Sequence, residues 1–258
     1  MPSAVFDQKN VSYLKLAPFR EVFEEGLPIL VYHKVGPRPR GLKLKSIQMP
    51  EKVFQRQIAE LTEAGFQTIT LDEWKSFSIP HSRKVIITFD DGSRGVLRNA
   101  EKHMAKSGFK AIQYIVANHI GDINQWDVDN GEAKDALMDK EEIRDWLARG
   151  HQIGSHTLTH PKLAKTAADK ARMEIFDSKK KLEDTFGIPI RHFCYPYGSY
   201  NAAARDFVGE AGYETAVTLK PGVNQPDALP LELLRIGTRH PTRNFRAVVK
   251  RFLGLEGK

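Results

Sequence analysis

The chain has 258 residues, of which 41% are hydrophobic and 28% charged, so it is long enough to bury one large core. Its net charge of +7 suggests affinity for anionic surfaces but fits simple solubility equally well, and a nucleic-acid partner has only this charge to support it. The single cysteine, Cys194, excludes an internal disulfide framework and a cysteine-based zinc cluster. Any bound metal would therefore need histidine and carboxylate ligands.

The chain termini carry no membrane-spanning pattern. Residues 1–26 lack the apolar run of a signal peptide, and no stretch elsewhere approaches the roughly 18 to 20 apolar residues of a membrane span. We therefore expect a cytoplasmic protein, with residues 1–26 as an N-terminal extension and 27–258 as the domain. Basic and apolar residues alternate at helical spacing in 243–251, which leaves a peripheral membrane contact as a minority alternative to core packing.

Short apolar runs alternate with longer amphipathic segments. Parallel strands that are buried on both faces read as continuous apolar runs. We expect strands at 29–33, 67–71, 85–89, 112–116, 152–155, 192–195, 215–219 and 234–237, and helices at 50–64, 96–107, 140–149, 167–186, 202–211 and 244–253. This alternation predicts an α/β fold, a single-domain distorted (β/α) barrel with about seven to eight parallel strands, and an open doubly wound sheet is the alternative.

The residues that directly follow the strands are the candidates for chemistry. In a (β/α) barrel the loops at the carboxyl ends of the strands carry the active site. This rule selects His33, Asp90, Asp91, His156, Pro196 and Tyr197.

The segment VIITFDDGSRG places two acids at the tip of a predicted strand, Asp90 and Asp91. Neighbouring strand residues point to opposite sides, so the two carboxylates can have different environments and different tasks. A divalent cation held by one acid would also keep the other ionised at neutral pH. A helix N-cap is the alternative interpretation, but a cap needs only one acid.

Two histidines follow the predicted strand 152–155. His156 and His160 are four residues apart, and their rings can converge on one ion if the segment turns. Pro161 disfavours α-helical geometry at His160, so we expect a tight loop here. Such a pair often arises by chance, and it gains weight from the neighbouring acid pair.

The remaining candidates are weaker when each is taken alone. The Pro-Tyr-Gly turn at Pro196 and Tyr197 can aim backbone N–H groups outward, as an oxyanion donor must, but it can also be a simple turn. His33 ends the first apolar run, where a lone histidine is more often structural.

Taken together, the segments TFDDG (88–92) and SHTLTHP (155–161) resemble the polysaccharide deacetylase family, the NodB-homology carbohydrate esterases, over about 27–252. The resemblance implies a NodB-type barrel in which Asp90 is the general base. It also implies that Asp91, His156 and His160 hold a divalent metal, most often Zn²⁺, with Co²⁺, Ni²⁺ and Mn²⁺ as alternatives.

Two further segments resemble the poly-N-acetylglucosamine deacetylase branch of that family. They are the YHKV strand at 32–35 and the YPYG turn at 195–198. The resemblance implies that His33 is the catalytic acid and that Pro196 and Tyr197 contact the substrate. The INQWD segment, with Asn124, Trp126 and Asp127, also resembles family sequence near the site, without a role for these residues.

The chain departs from the family pattern at two positions. Many members place an arginine two residues before the turn proline to orient the base, and here that residue is Cys194, while Arg191 is too distant to match. Many members also end with a Leu-x-His acid motif, for which only His240 is available in a poorly matching context. His33 is therefore preferred over His240 as the acid.

The resemblance implies a metal-dependent hydrolase that removes the N-acetyl group from an N-acetylglucosamine-type glycan or glycoconjugate. The alternatives are hydrolysis of another amide, such as a formylated or lipid-linked amino sugar, and a non-catalytic carbohydrate-binding relative. The expected partner is the N-acetylated glycan, with no nucleic acid, and the residues indicate no oligomeric state.

Overall fold

A computed structural model of the chain describes residues 13, 15–40, 42–74 and 83–238. In this part of the chain the strands are β1 (Leu27–Tyr32), β2 (Lys34–Val35), β3 (Gln48–Met49), β4 (Gln67–Thr68), β5 (Lys84–Phe89), β6 (Ile112–Ile115), β7 (Gln152–Ser155), β8 (His192–Cys194), β9 (Thr215–Val217), β10 (Val223–Asn224) and β11 (Ile236–Gly237). The α-helices are α1 (Arg20–Glu25), α2 (Glu51–Glu63), α3 (Glu101–Lys106), α4 (Gln125–Val128), α5 (Lys140–Ala148), α6 (Ala168–Phe186) and α7 (Ala202–Glu210).

Seven parallel strands surround the core. The order is β1, β5, β6, β7, β8 and β9, and β11 pairs with the edge of β1 opposite β5, where β10 also pairs antiparallel with the start of β1. The short β4 adds a parallel pairing at the start of β5. Leu233, just before β11, forms a parallel bridge with Val217 at the end of β9, so this one segment touches both edges of the sheet. The predicted distorted (β/α) barrel is confirmed, and the open doubly wound alternative is not the fold.

Several predicted elements differ from the observed ones at their ends. The strands predicted at 67–71, 215–219 and 234–237 are only two or three residues long. After β4, the main-chain N–H and the hydroxyl of Thr70 both bond the Glu73 carboxylate, and this turn replaces further pairing. The helix predicted at 96–107 begins with a π-helical turn at Val96–Ala100, and the helix predicted at 244–253 lies outside the described residues.

The described part of the N-terminal segment packs on the barrel. Tyr13, Phe19 and Phe23 are buried and their rings contact one another, and Phe23 meets Phe66 edge to face. The predicted division into an N-terminal extension, residues 1–26, and a domain, residues 27–258, stays a prediction. Among the described residues, no helix has both the length and the apolar character to cross a bilayer.

The parallel sheet determines where the candidate residues meet. Since β1, β5, β7, β8 and β11 run in the same direction, their carboxyl ends lie on one rim of the barrel. The sequence candidates all follow one of these ends, so the fold brings them to the same rim.

Candidate active site

A cavity of about 440 Å³ opens on this rim. Its lining includes His33, Asp90, Asp91, His156, His160 and Tyr197. Of the two predicted substrate contacts, Tyr197 lines the cavity, whereas Pro196 is buried and is not among the lining residues.

Asp90 is held by a fully buried arginine. The two terminal nitrogens of Arg235 donate to the two carboxylate oxygens of Asp90 at 2.7 and 2.8 Å. Burial raises the pKa of Asp90, but the charge and hydrogen bonds of Arg235, with His33 nearby, outweigh it and leave the pKa below its ordinary value. The carboxylate is therefore ionised at neutral pH.

Arg235 is the functional residue that the sequence interpretation missed. It lies in the segment that closes the barrel, and its Nε donates to the Thr218 carbonyl at 2.7 Å. Its Nη2 lies 3.2 Å from the Cys194 sulfur, so the guanidinium lies beside the position where the family resemblance predicts an arginine. The sequence feature that could have identified it is the apolar run LLRIG, which contains an arginine. A buried arginine needs a carboxylate partner.

Asp91 turns away from Asp90 toward the two histidines. Its backbone φ of 74° is left-handed, a conformation that aspartate tolerates better than most residues. Its Oδ1 lies 3.6 Å from Nε2 of His156 and 3.4 Å from Nε2 of His160. Burial raises the pKa of Asp91, but its interactions with these histidines hold the pKa well below the ordinary value.

Residues 156–160, which we call the histidine loop, form a tight turn, as expected from Pro161. Thr157 and His160 have φ angles of 67° and 65°, so the chain folds back and the two Nε2 atoms come within 3.2 Å. Nδ1 of His156 lies 2.8 Å from the Cys194 carbonyl, which can only accept a hydrogen bond. Nδ1 of His156 therefore carries a proton, and Nε2, which faces His160 and Asp91, is the ring atom left to bind a metal ion.

These three side chains fit a divalent metal ion. A tetrahedral zinc ion with bonds of about 2.0 to 2.1 Å separates its ligand atoms by about 3.3 Å. The Nε2 atoms of His156 and His160 and Oδ1 of Asp91 lie 3.2 to 3.6 Å apart, and all three side chains are buried. Asp90, His156 and Cys194 form a second cluster, but burial raises the pKa of the Cys194 thiol and disfavours the thiolate that a metal requires.

His33 borders the same cavity on the other side of Asp90. Its Nε2 lies 3.8 Å from Oδ2 of Asp90, and its side chain is about one-fifth exposed. Burial lowers the pKa of His33, with partial compensation from Asp90 and Asp91. His240, the other candidate acid, lies outside the described residues.

Two aromatic side chains flank His160. The Tyr197 ring lies 4.5 Å from it and the Trp126 ring 4.6 Å, measured between ring centroids. Tyr197 has a φ of 59° and is 43% exposed, so its ring forms part of the cavity mouth. The side-chain amide of Asn124 donates to Asp127, another lining residue, at 3.1 Å. The INQWD segment thus builds one wall of the cavity.

Comparisons with known proteins agree with this architecture. The family model described as polysaccharide deacetylase matches residues 77–216, a little over half of the chain. YxkH of Bacillus subtilis, provisionally named a polysaccharide deacetylase, is 28% identical over 206 residues, which cover 78% of this chain and 67% of that protein. A Staphylococcus aureus protein named poly-beta-1,6-N-acetyl-D-glucosamine N-deacetylase is 24% identical over 229 residues, covering 84% of this chain and 76% of that protein.

Solved structures show the same fold. IcaB from Ammonifex degensii superposes with a TM-score of 0.71 at 22% identity and covers 88% of this chain and 97% of its own. The deacetylase PplD of Streptococcus pyogenes, solved in complex with acetate, superposes with a TM-score of 0.70 at 21% identity. The match covers 82% of this chain and 92% of the PplD chain. From the family match, this chain belongs to the polysaccharide deacetylase family, hydrolases of carbon–nitrogen bonds other than peptide bonds.

Proposed function

We propose that this chain is a metal-dependent deacetylase that hydrolyses the N-acetyl group of an amino sugar in an N-acetylglucosamine-type glycan or glycoconjugate. The products are acetate and the free amine. The observation that carries this proposal is the division of the acid pair, in which Arg235 holds Asp90 while Asp91 converges with His156 and His160. The similarity to the Staphylococcus aureus deacetylase supports the choice of substrate class.

Asp91, His156 and His160 would hold the metal ion. Their nitrogen and oxygen ligand atoms suit Zn²⁺, and Co²⁺, Ni²⁺ and Mn²⁺ accept the same set. When bound, a divalent ion supplies Lewis-acid chemistry, since it acidifies a water molecule to near neutrality and polarises an acyl carbonyl.

Asp90 would act as the general base. Its low pKa keeps it ionised, and a carboxylate has about four lone-pair sites, so each oxygen can accept a further proton donor beside Arg235. Asp90 takes the proton of the attacking water. Arg235 fixes the plane of the carboxylate, so that the base meets the water in one orientation.

His33 and Tyr197 would complete the reaction. Because burial lowers the pKa of His33, its ring is neutral at neutral pH and needs a proton before it can act as an acid. The proton taken by Asp90 can reach Nε2 of His33 across the 3.8 Å separation after a small side-chain movement, and His33 then protonates the leaving amine. The Tyr197 N–H would donate to the oxyanion of the tetrahedral intermediate.

Acetate release from N-acetylglucosamine oligomers tests this function. The zinc-loaded protein should release acetate, and Asp90→Asn should lower the rate by about 100-fold or more while the bound zinc stays stoichiometric. The matched control is Asp184→Asn, since the Asp184 side chain is 63% exposed and pairs with Lys180 on the surface of α6. Near-normal turnover by Asp90→Asn would reject the assignment of Asp90 as the general base. If the wild type releases formate from an N-formyl analogue but no acetate from the N-acetyl oligomers, the proposed acetyl specificity is rejected.

A further inference from the structure

A buried carboxylate on α6 lies outside the reacting groups described so far. Glu174 is 1% exposed, and among the described residues no lysine, arginine or histidine forms an ion pair with it. Burying an ionised carboxylate is costly unless hydrogen bonds replace its water. Its partners therefore indicate why it is there.

Within the described part of the chain, the hydrogen bonds of the Glu174 carboxylate all go to the histidine loop. Oε2 accepts the main-chain N–H groups of Leu158 and Thr159, both at 2.9 Å, and Oε1 accepts the Thr159 hydroxyl at 2.5 Å. Leu158 and Thr159 lie between His156 and His160. One carboxylate on a long helix thus holds the middle of the loop that carries two of the three proposed ligands.

The loop needs such an anchor because its backbone is strained. Thr157 and His160 both adopt left-handed φ angles, which are unfavourable for a β-branched residue in particular. From the other side, the Thr157 and Leu158 carbonyls accept N–H groups of Ala117 and Asn118. Those bonds satisfy the loop carbonyls, whereas the Leu158 and Thr159 N–H groups point to Glu174.

We propose that Glu174 is a positioning residue for the proposed metal centre, on which this inference rests. By fixing the backbone between His156 and His160, it keeps their Nε2 atoms at the 3.2 Å separation that one ion can bridge. Loss of the carboxylate lets the loop relax toward ordinary φ angles and separates the two rings.

The test is the zinc dissociation constant of Glu174→Gln, measured by competition with a chromogenic chelator, together with the melting temperature. Glutamine keeps the size of the side chain but removes its negative charge and one of its two acceptor oxygens, so the hydrogen bonds to the loop lose their charge-assisted strength. We expect zinc affinity to fall about 10- to 100-fold, the range for residues that orient metal ligands. Asp184→Asn, which removes a charge from the exposed face of the same helix, should leave the affinity unchanged.

A second variant covers the case in which Glu174→Gln does not fold. Thr159→Val removes only the hydroxyl donor to Oε1 at an exposed position, and about 3- to 10-fold weaker zinc binding is expected. A lower melting temperature with unchanged zinc affinity in Glu174→Gln would mean a purely structural role and would overturn the inference. Unchanged affinity in Thr159→Val would also count against it.

The same titration separates this inference from the proposed function. If the wild-type protein binds no zinc, the proposed metal site is rejected, and the positioning role of Glu174 is rejected with it. If the wild type and Glu174→Gln bind zinc equally, only the positioning role fails. Acetate release by the wild type is an independent readout of the proposed reaction.

Discussion

Arg235 and Asp90 are 145 residues apart in the chain, and they form a buried two-point contact at 2.7 and 2.8 Å. The guanidinium comes from the segment that closes the barrel, whereas Cys194 stands at the turn position where the family resemblance led us to expect an arginine. Closure of the barrel and orientation of the base therefore depend on the same short segment.

Arg235→Lys should change the pH dependence of turnover. The guanidinium lowers the pKa of Asp90, so its loss raises that pKa, and the base is then protonated at higher pH. We expect the acid limb of the pH profile of kcat/KM to move to higher pH, with a loss of about 10-fold or more at neutral pH. Arg191→Lys, at an exposed position, is the control. An acid limb that stays in place would contradict the role of Arg235.

His33→Gln should lose about 100- to 10,000-fold in amide hydrolysis, with zinc binding retained, because an amine leaves poorly without a proton. The loss should shrink strongly for 4-nitrophenyl acetate, whose leaving group needs no protonation. Comparison of the two substrates with wild type and variant measures this difference. An equal loss on both substrates would show that His33 does something other than protonate the leaving group.

Gly154→Ala should destabilise the barrel by about 1 to 3 kcal/mol, the usual cost of overpacking. A Cβ at Gly154 would lie 2.6 Å from the ring of the fully buried Tyr114 and 2.7 Å from the carbonyl of His192 in strand β8. Urea denaturation gives the free energy of unfolding. Gly237→Ala is the matched control, because a Cβ there meets no described heavy atom within 4 Å. Equal stability of the two variants would refute the packing argument.

His151 should make the fold less stable in acid. Its ring stacks on Trp146, and its Nδ1 accepts the Ala111 N–H at 3.2 Å, so protonation breaks a hydrogen bond. Burial, with Lys110 and Arg149 nearby, lowers the pKa to about 4, and Glu101 at 3.8 Å from Nε2 does not offset this. The unfolded chain binds the proton near pH 6.5, so this contribution to stability is lost as the pH falls from 6.5 toward 4.

Urea denaturation between pH 7 and 4 measures this effect. The loss assigned to His151 is on the order of 3 kcal/mol at most. His151→Asn keeps an acceptor for Ala111 and removes the titration, so its unfolding free energy should fall less over the same interval. Parallel pH profiles for the two proteins would show that His151 does not titrate as described.

The sequence predicted the barrel and most of the rim because these follow from local patterns. Continuous apolar runs identify buried parallel strands, and residues just after them must share one rim. His33, Asp90, Asp91, His156 and Tyr197 were found in this way, and His160 was found from its spacing to His156; all six line one cavity.

Contacts between residues distant in the chain could not be predicted in the same way. Arg235 meets Asp90 only because the barrel closes, and Glu174 reaches the histidine loop only because α6 packs beside it. In the sequence, Glu174 is one more acid in a charged helix. Pro196 is adjacent to Tyr197 in the chain but is not among the lining residues, and its predicted contact with the substrate stays a prediction.

The most direct test of the central claim is acetate release after the metal has been removed with a chelator and then restored by titration with zinc. We expect the metal-free protein to be folded and inactive, and the rate to rise in proportion to bound zinc up to one ion per chain. An unaltered rate in protein shown to contain no metal would contradict the proposed metal dependence of the reaction.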